Sequence, residues 1–195
     1  MVHSILLDQS TIAAYRIFIV RRGSRLQAEI RQGRPFGSLE QEGVLGLLRT
    51  ADMVRRRLAD VVEPRGLTLQ QYNVLRILRG SRTEGLPTLD IASRMIEQTP
   101  GITRLLDRLE AKGLVRRERC PHDRRQVLCF VTRTGLERLR SLDPVVTSLD
   151  HGALGGLKRA ETERLVGILD SIRTGHQRSH SSKSNQNEKP KKEKT

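Results

Sequence analysis

Apolar residues recur at intervals of three and four along most of the middle of the chain, a spacing that predicts α-helices. Leu47, Val54 and Leu58 share one face of a first long helix, predicted over 39–63, and Pro64 ends it. Patterns of the same period follow, separated by turn-forming glycines. They predict further helices over 67–78, 88–95, 99–112, 133–152 and 158–173.

The segment over 99–112 has the most clearly two-sided pattern. Thr99 is expected to cap its open amide groups, with Pro100 in the first helical position, and Gly113 ends it. The apolar stripe consists of Ile102, Leu105, Leu106 and Leu109. The opposite face presents Pro100, Thr103, Arg104, Asp107, Arg108 and Ala111. Small side chains near the amino end, with arginines behind them, suit insertion into the major groove of DNA.

After this helix the apolar period changes from helical to extended. The pair Leu114-Val115 and the alternate apolar residues over 127–131 lie on either side of a polar turn over 121–125. This arrangement predicts a β-hairpin with a basic tip, after which Thr132 caps the next helix. Two adjacent helices followed by a hairpin form a winged helix-turn-helix. The predicted fold class is therefore mainly α, with a small β-hairpin wing.

The two ends of the chain differ from the middle in composition. Residues 1–38 have no sustained apolar period and are interrupted by glycines and a proline. Residues 175–195 contain no large apolar side chain, so that burial cannot repay the entropy lost on ordering them. We predict a poorly ordered basic extension over 1–38, a winged helix-turn-helix domain over 39–174 and a disordered basic tail over 175–195.

The charge balance is strongly basic, with 36 Lys and Arg against 22 Asp and Glu and a formal net charge of +14. More than half of this excess lies in the two ends. Such an excess favours a polyanionic partner, because phosphates attract Lys and Arg without needing a particular fold. A ribosomal protein or a protein bound to anionic membranes would show the same excess, so charge alone does not identify the partner.

Several other classes of protein are not expected from the sequence. Two cysteines are too few for a disulfide framework, and no apolar run approaches the length of a membrane span. A cytoplasmic protein without a membrane partner is therefore expected. No Cys–His metal spacing, phosphate-binding glycine loop or nucleophile–base pair occurs, so neither an enzyme nor a cofactor or metal site is expected.

The middle of the chain resembles the MarR (multiple antibiotic resistance regulator) family. That family shows a leucine-rich recognition helix ending in D-R-L-E-x-x-G-L-V, then a basic strand, a D-x-R wing and a hydrophobic-Thr pair that opens the next helix. The matching residues here are 107–115, Arg116-Arg117, Asp123 with Arg125, and Val131-Thr132. The resemblance covers roughly 39–174, counting the flanking helices, and its motifs are specific only in the middle of that range.

The resemblance implies a homodimer in which the helices over 39–63, 133–152 and 158–173 interlock. It also implies that the recognition helix faces the major groove and that the wing reaches the adjacent minor groove. Arg125 would be the minor-groove arginine, and a charge-assisted hydrogen bond that it donates to Asp123 would orient it. The arginines at 116, 117, 119 and 124 would reach phosphates or stay solvated. The predicted DNA-binding residues are Thr99, Pro100, Thr103, Arg104, Arg108, Arg117, Asp123, Arg124 and Arg125.

Plainer interpretations of some of these residues stay open. Asp123 and Arg125 would also fit a surface salt bridge within the hairpin, which contributes little to stability. Asp107 lies three residues after Arg104 on one helix, and the two side chains would be able to pair with each other.

Two further hypotheses concern the wing and an effector. Cys120 and Cys129 flank the wing turn, and a disulfide across the hairpin would restrain the wing, although strand cysteines are more often inert packing. The family's ligands are typically small aromatic acids bound between the DNA-reading lobe and the dimer helices. Residues of the kinds that such a site uses are Met53, Arg57, Tyr72 and Phe130, although an ordinary core role fits them better.

The predicted function is that of a sequence-specific regulator of transcription that binds double-stranded DNA. We expect a ligand-responsive repressor that binds a palindromic operator as a homodimer, with a small aromatic molecule as the effector. The alternative is a non-specific nucleic-acid-binding or nucleoid-associated protein that uses its basic tails. Aromatic side chains make up only 3% of the chain, which argues against stacking on single strands. A winged helix used for protein contacts would leave the recognition-helix arginines dispensable.

Overall fold

A computed structural model describes residues 24–81, 84–98, 100–121, 123 and 125–184, with the backbone alone over 176–184. The predictions made for residues 1–23 and 185–195, for Thr99 and for Arg124 lie outside the described residues. The chain divides into two compact units, Met1–Asp60 and Val61–Thr195.

The described part of the first unit is helical. Helix α1 spans Arg25–Glu29 and begins after Ser24, whose hydroxyl accepts a hydrogen bond from the Gln27 amide at 3.1 Å. Helix α2 spans Leu39–Val62, close to the predicted range, and its last two residues belong to the second unit. Helix α1 lies within the segment predicted to be poorly ordered. A capping serine followed by good helix formers accounts for this difference.

The second unit opens with the end of α2. A 3₁₀ turn over Glu63–Arg65 follows it, and Gly66 adopts the left-handed conformation, with φ of 78°. Helix α3 spans Leu69–Gly80 rather than the predicted 67–78. Its start is set by Thr68, whose side chain accepts from the Gln71 amide while the Gln71 side chain accepts from the Thr68 amide. This capping box places residue 68 outside the helix.

The predicted hairpin is present and belongs to a sheet of three antiparallel strands. Strands β2 (Val115–Arg119) and β3 (Val127–Val131) form the wing, and β1 (Leu86–Pro87) pairs with the other edge of β3. Strand β1 was not predicted, because two residues are too few to show an alternating pattern. In the β2–β3 ladder Arg117 lies opposite Cys129.

Helices α4 (Thr88–Arg94) and α5 (Ile102–Ala111) form the helix-turn-helix. The predicted start of α5 was wrong. Pro100 lies in the preceding turn, and Gly101, with φ of 83°, occupies the cap position without a capping side chain. A Pro-Gly pair favours a turn, and the left-handed conformation at residue 101 is one that glycine adopts without strain.

Two long helices complete the second unit. Helix α6 spans Arg133–Leu154, and Thr132 caps it by accepting a hydrogen bond from the Gly135 amide at 3.0 Å, as predicted. Pro144 lies inside α6 without ending it, because the buried Leu142 and Val146 hold the flanking turns in the core. Helix α7 spans Arg159–Ser184, past the predicted end at 173 and into the predicted tail, since no proline stops the helix there.

The core of the second unit lies where α3, α5 and α6 meet the sheet. The three leucines of the predicted stripe of α5 are buried, with Leu106 and Leu109 0% exposed and Leu105 9% exposed, whereas Ile102 is only partly buried. They are joined by other fully buried residues, namely Val74, Leu75, Leu78, Ile91, Leu139 and Leu142. The mainly helical fold with a small β-wing confirms the predicted fold class. None of the helices in the described ranges is both long and apolar enough to span a membrane.

Candidate nucleic-acid interface

One face of α5 is exposed and carries unpaired positive charge. Burial of the leucine stripe turns Thr103, Arg104 and Arg108 outward, and Pro100 is exposed just before the helix. Neither Arg104 nor Arg108 forms an ion pair with any residue that the structure describes. A guanidinium without a protein partner presents all its donors, as contacts to a base edge or a phosphate require.

The two carboxylates of α5 have a single common partner, Arg117 of β2. The Arg117 Nε lies 2.8 Å from Glu110 Oε2, and the Arg117 main-chain amide donates to Glu110 Oε1 at 3.1 Å. The same guanidinium lies 2.7 Å from Asp107 Oδ1. The hydrogen bonds between Arg117 and Glu110 lower the pKa of Glu110 and raise the pKa of Arg117. We refer to Asp107, Glu110 and Arg117 as the helix–wing cluster.

This cluster changes the interpretation of two predicted residues. Asp107 pairs with Arg117 across elements and not with Arg104 on its own helix. Arg117 was predicted to contact DNA, but its side chain is only 26% exposed and is directed to the carboxylates of α5. Arg119 lies two residues further along β2, is exposed and has no ion pair within the described part of the chain.

Asp123 shapes the turn of the wing. Its Oδ1 accepts a hydrogen bond from the Arg125 main-chain amide at 2.9 Å, and its carbonyl accepts from the Gln126 amide at 3.0 Å. The predicted hydrogen bond between these two residues therefore has a different donor, which is the main-chain amide of Arg125 and not its guanidinium. An Asx turn of this kind is the ordinary behaviour of an aspartate two residues before the amide that it binds. The Arg125 side chain is left exposed and unpaired among the described residues.

The outer face of the wing holds Arg116 against an aromatic ring. Arg116 and Phe130 are cross-strand partners, and the guanidinium carbon lies 4.2 Å from the ring centroid. Arg116 also pairs with Glu118. A Cβ added at Gly85 would lie only 2.6 Å from ring carbons of Phe130. Both contacts of the Phe130 ring join residues of different segments, and the sequence pattern did not reveal them.

Lys112, just after the end of α5, forms hydrogen bonds to the turn that follows α2 and to α3. Its Nζ donates to the Gly66 carbonyl at 2.7 Å and to Gln71 Oε1 at 3.1 Å. Gln71 is only 3% exposed, and its side-chain oxygen also completes the capping box of α3. Sequence reasoning missed this contact, because Lys112 is separated from both partners by more than forty residues.

The hypothesis of a disulfide across the hairpin was wrong. The Cys120 amide donates to the Gln126 carbonyl, whereas Cys129 lies opposite Arg117. Three residue steps along a strand separate the cysteines by about 10 Å, which is too far for a disulfide without backbone movement. Cys129 is buried, and burial raises the pKa of its thiol.

The residues considered for an effector site differ in burial. Tyr72 is 3% exposed and belongs to the core, where burial raises the pKa of its hydroxyl. Phe130 packs in the wing, and Met53 and Arg57 are exposed on α2. Among the described residues, no three His, Cys, Asp or Glu side chains are grouped as a metal site.

The fold and the sequence both match known regulators of transcription. The family model described as MarR family matches residues 67–127. The HTH-type transcriptional regulator TtmR of Methylorubrum extorquens is 34% identical over 138 residues, covering 70% of this chain and 68% of that protein.

Two solved structures extend the comparison. A MarR transcription factor from Planctomyces limnophilus is 40% identical, with a TM-score of 0.54, covering 69% of this chain and 98% of that one. The BpsR protein of Bordetella bronchiseptica, whose DNA binding is regulated by 6-hydroxynicotinic acid, is 26% identical, with a TM-score of 0.59, covering 68% of this chain and 98% of that one. The resemblance found in the sequence is thereby confirmed, and the chain belongs to the MarR family of winged helix-turn-helix transcriptional regulators.

Proposed function

We propose that this chain binds a specific double-stranded DNA site, with α5 in the major groove and the wing turn in the adjacent minor groove. The observation that carries the proposal is the exposed face of α5, where Arg104 and Arg108 have no ion pair with any described residue. Arg125 at the wing turn has the same unpaired state and suits a narrow, electronegative minor groove. Pro100 and Thr103 would lie against the backbone and base edges near the amino end of α5. Thr99, Arg124 and Asp123 complete the proposed surface, with Asp123 acting through the shape of the turn.

The second part of the proposal is a homodimer. Helix α2 exposes Val44 at 58%, Leu47 at 41% and Leu48 at 61%, which share one face of the helix. Helix α7 exposes Ile168 at 49% and Ile172 at 44%, also on one face. Exposed apolar stripes on long helices support association with a second copy of the chain. We assign dimerisation to α2, α6 and the part of α7 up to residue 173, within a domain over 39–174 that excludes the basic ends.

A homodimer with a two-fold axis presents two recognition helices about one helical turn of DNA apart, so its operator is palindromic. We further propose that binding represses transcription by occluding a promoter. The regulation of BpsR by 6-hydroxynicotinic acid supports a small aromatic acid as the effector class. Such a ligand would act by binding one arrangement of the dimer more tightly than the other.

The test is a selection of binding sites from random double-stranded DNA by the full chain. We expect an enriched palindrome that binds at least about 10³-fold more tightly than scrambled DNA of the same length. That preference should persist when the salt concentration is raised, whereas non-specific binding weakens steeply. Equal binding to both DNAs that collapses with salt would contradict the proposal and favour the sequence-independent alternative. Sedimentation of the free protein and of the complex reports whether two copies bind one site.

A further inference from the structure

We propose that Arg117 is a positioning residue for DNA recognition, which holds both carboxylates of α5 against the wing and so leaves Arg104 unpaired for DNA. The inference rests on the proposed function, because an unpaired Arg104 matters only if α5 meets DNA. It also assigns Arg117 a role different from the phosphate contact that the sequence suggested.

The first step is the competition for Asp107. Residues three apart on a helix are neighbours, so Arg104 and Asp107 are within pairing reach of each other. In the structure Asp107 Oδ1 instead lies 2.7 Å from the Arg117 guanidinium, and Arg104 has no ion pair among the described residues. Arg117 therefore takes the carboxylate that would otherwise cover the Arg104 guanidinium.

The second step is why Arg117 wins this competition. Its guanidinium reaches Asp107 and Glu110 together, and its main-chain amide donates to Glu110 as well. Ordering the one Arg117 side chain therefore forms two ion pairs, and this side chain is only 26% exposed, so water screens them less than it screens a fully exposed pair. Arg104 is exposed and would lose its side-chain freedom for a single surface pair.

The third step concerns the charge that α5 presents to DNA. Asp107 is 51% exposed and Glu110 is 38% exposed, and both lie on the helix proposed to approach phosphates. Two carboxylates without a cation there would repel the DNA backbone. Arg117 offsets that charge from the side of the helix, without occupying the face that carries Arg104 and Arg108.

Arg119 supplies a matched control. It is the same residue type on the same face of β2, two positions nearer the wing tip, and it is exposed. It forms no ion pair with the described residues. Removing its charge therefore changes the basic surface of the wing without releasing a carboxylate.

The experiment is a double-mutant cycle on DNA affinity, using a site selected by the unmodified full chain. Arg117→Met is expected to weaken binding about tenfold, and adding Asp107→Asn is expected to restore it to within about threefold of the unmodified protein. Asp107→Asn alone should change affinity less than about threefold. In the Arg119→Met background, Asp107→Asn should rescue nothing. If Asp107→Asn instead shifts affinity by the same factor in all three backgrounds, Arg117 acts independently of Asp107 and the proposal is wrong.

Folding is checked by circular dichroism, and Arg117→Lys replaces Arg117→Met in the cycle if the latter unfolds. Lysine keeps the charge but loses the planar fork, so rescue by Asp107→Asn is still expected, with a smaller initial loss.

A second measurement needs no DNA. Water exchange of the Arg104 Nε proton, followed by NMR in the free protein, should slow in Arg117→Met and become fast again in the Asp107→Asn double variant. An Arg104 signal that is the same in all variants would overturn the inference. A chain that selects no DNA sequence but shows the expected exchange pattern would contradict the proposed function and support the carboxylate arrangement. The two failures are therefore distinguishable.

Discussion

The two arginines of α5 and the first two arginines of β2, Arg116 and Arg117, have opposite surroundings, although they lie in the same small helix-turn-helix and wing. Arg104 and Arg108 are exposed and unpaired among the described residues. Arg116 is stacked on an aromatic ring, and Arg117 is held by two carboxylates. A count of basic residues treats all four alike. An arginine without a protein partner would bind DNA without first breaking a contact within the protein. We therefore expect the pairing state to decide which of these arginines contact DNA.

The largest effect is expected at Arg104. Arg104→Ala should reduce the free energy of specific DNA binding by about 1–3 kcal/mol. Arg104 has no ion pair among the described residues, so the substitution would remove only its proposed contacts to DNA. Titration of a labelled selected site by fluorescence anisotropy measures the change. Arg133→Ala is the matched control: Arg133 pairs with Glu137 on α6, and its removal should change binding by less than about 0.5 kcal/mol. Equal losses in both variants would show that net charge, not the position of the arginine, determines affinity.

A second prediction concerns the Phe130 ring, on which Arg116 stacks. Gly85→Ala should lower the free energy of unfolding by about 1–3 kcal/mol, because the new methyl group overlaps the Phe130 ring. Residue 85 also has φ of 68°, which alanine adopts only with strain. Chemical denaturation followed by circular dichroism measures the loss. Gly43→Ala in α2 should be neutral or stabilising, because the added methyl group would meet no described atom within 4 Å beyond the adjacent backbone of its own helix. A similar loss there would refute the steric explanation.

The stacked arginine should matter less. Arg116→Ala should lower the free energy of unfolding by about 0.5–1 kcal/mol, the contribution expected of an exposed cation–π contact. Its effect on specific DNA binding should be smaller than that of Arg104→Ala, since its guanidinium already has protein partners. Denaturation and anisotropy on the same preparation measure both. A loss of binding as large as that of Arg104→Ala would place Arg116 on the DNA.

The smallest effect is a pH dependence of the helix–wing cluster. Hydrogen bonds from Arg117 hold the pKa of Glu110 below its ordinary 4.5, so the ionised carboxylate stabilises the folded state. The stabilisation relative to Glu110→Gln should be complete above pH 4.5 and should disappear as the pH falls through the lower folded pKa. Thermal unfolding of both proteins between neutral and acidic pH measures it. The difference should be modest and reduced by salt, because Glu110 is 38% exposed. A difference that grows as the pH falls would contradict the sign.

The sequence predicted the helices and the hairpin well because their signals are local. The leucine stripe of α5, the cap at Thr132 and the change of period after Gly113 each depend on residues close together in the chain. The errors came where two local signals compete. Thr99-Pro100 fits a helix start, but the following Gly101 made a turn more favourable and delayed α5.

The candidate site was predictable only in part. The exposed face of α5 follows from the buried one, so Thr103, Arg104 and Arg108 were found from the pattern alone. The partners of Arg117 and Lys112 were not found, because both contacts join residues of different elements. The turn at Asp123 was predicted correctly, but the group that donates to Asp123 was not. The sequence alone does not show whether the main-chain amide or the guanidinium of Arg125 is the donor.

The sequence by itself determined the fold class, the family and the position of the basic residues, because periodicity, caps and motifs act over a few residues. Tertiary structure decided which of those residues are available. A guanidinium on β2 and two carboxylates on α5 meet only when the hairpin folds back on the helix, which pairs Arg117 and leaves Arg104 free among the described residues. Charge is a property of the residue, whereas the partner of a charge is a property of the fold.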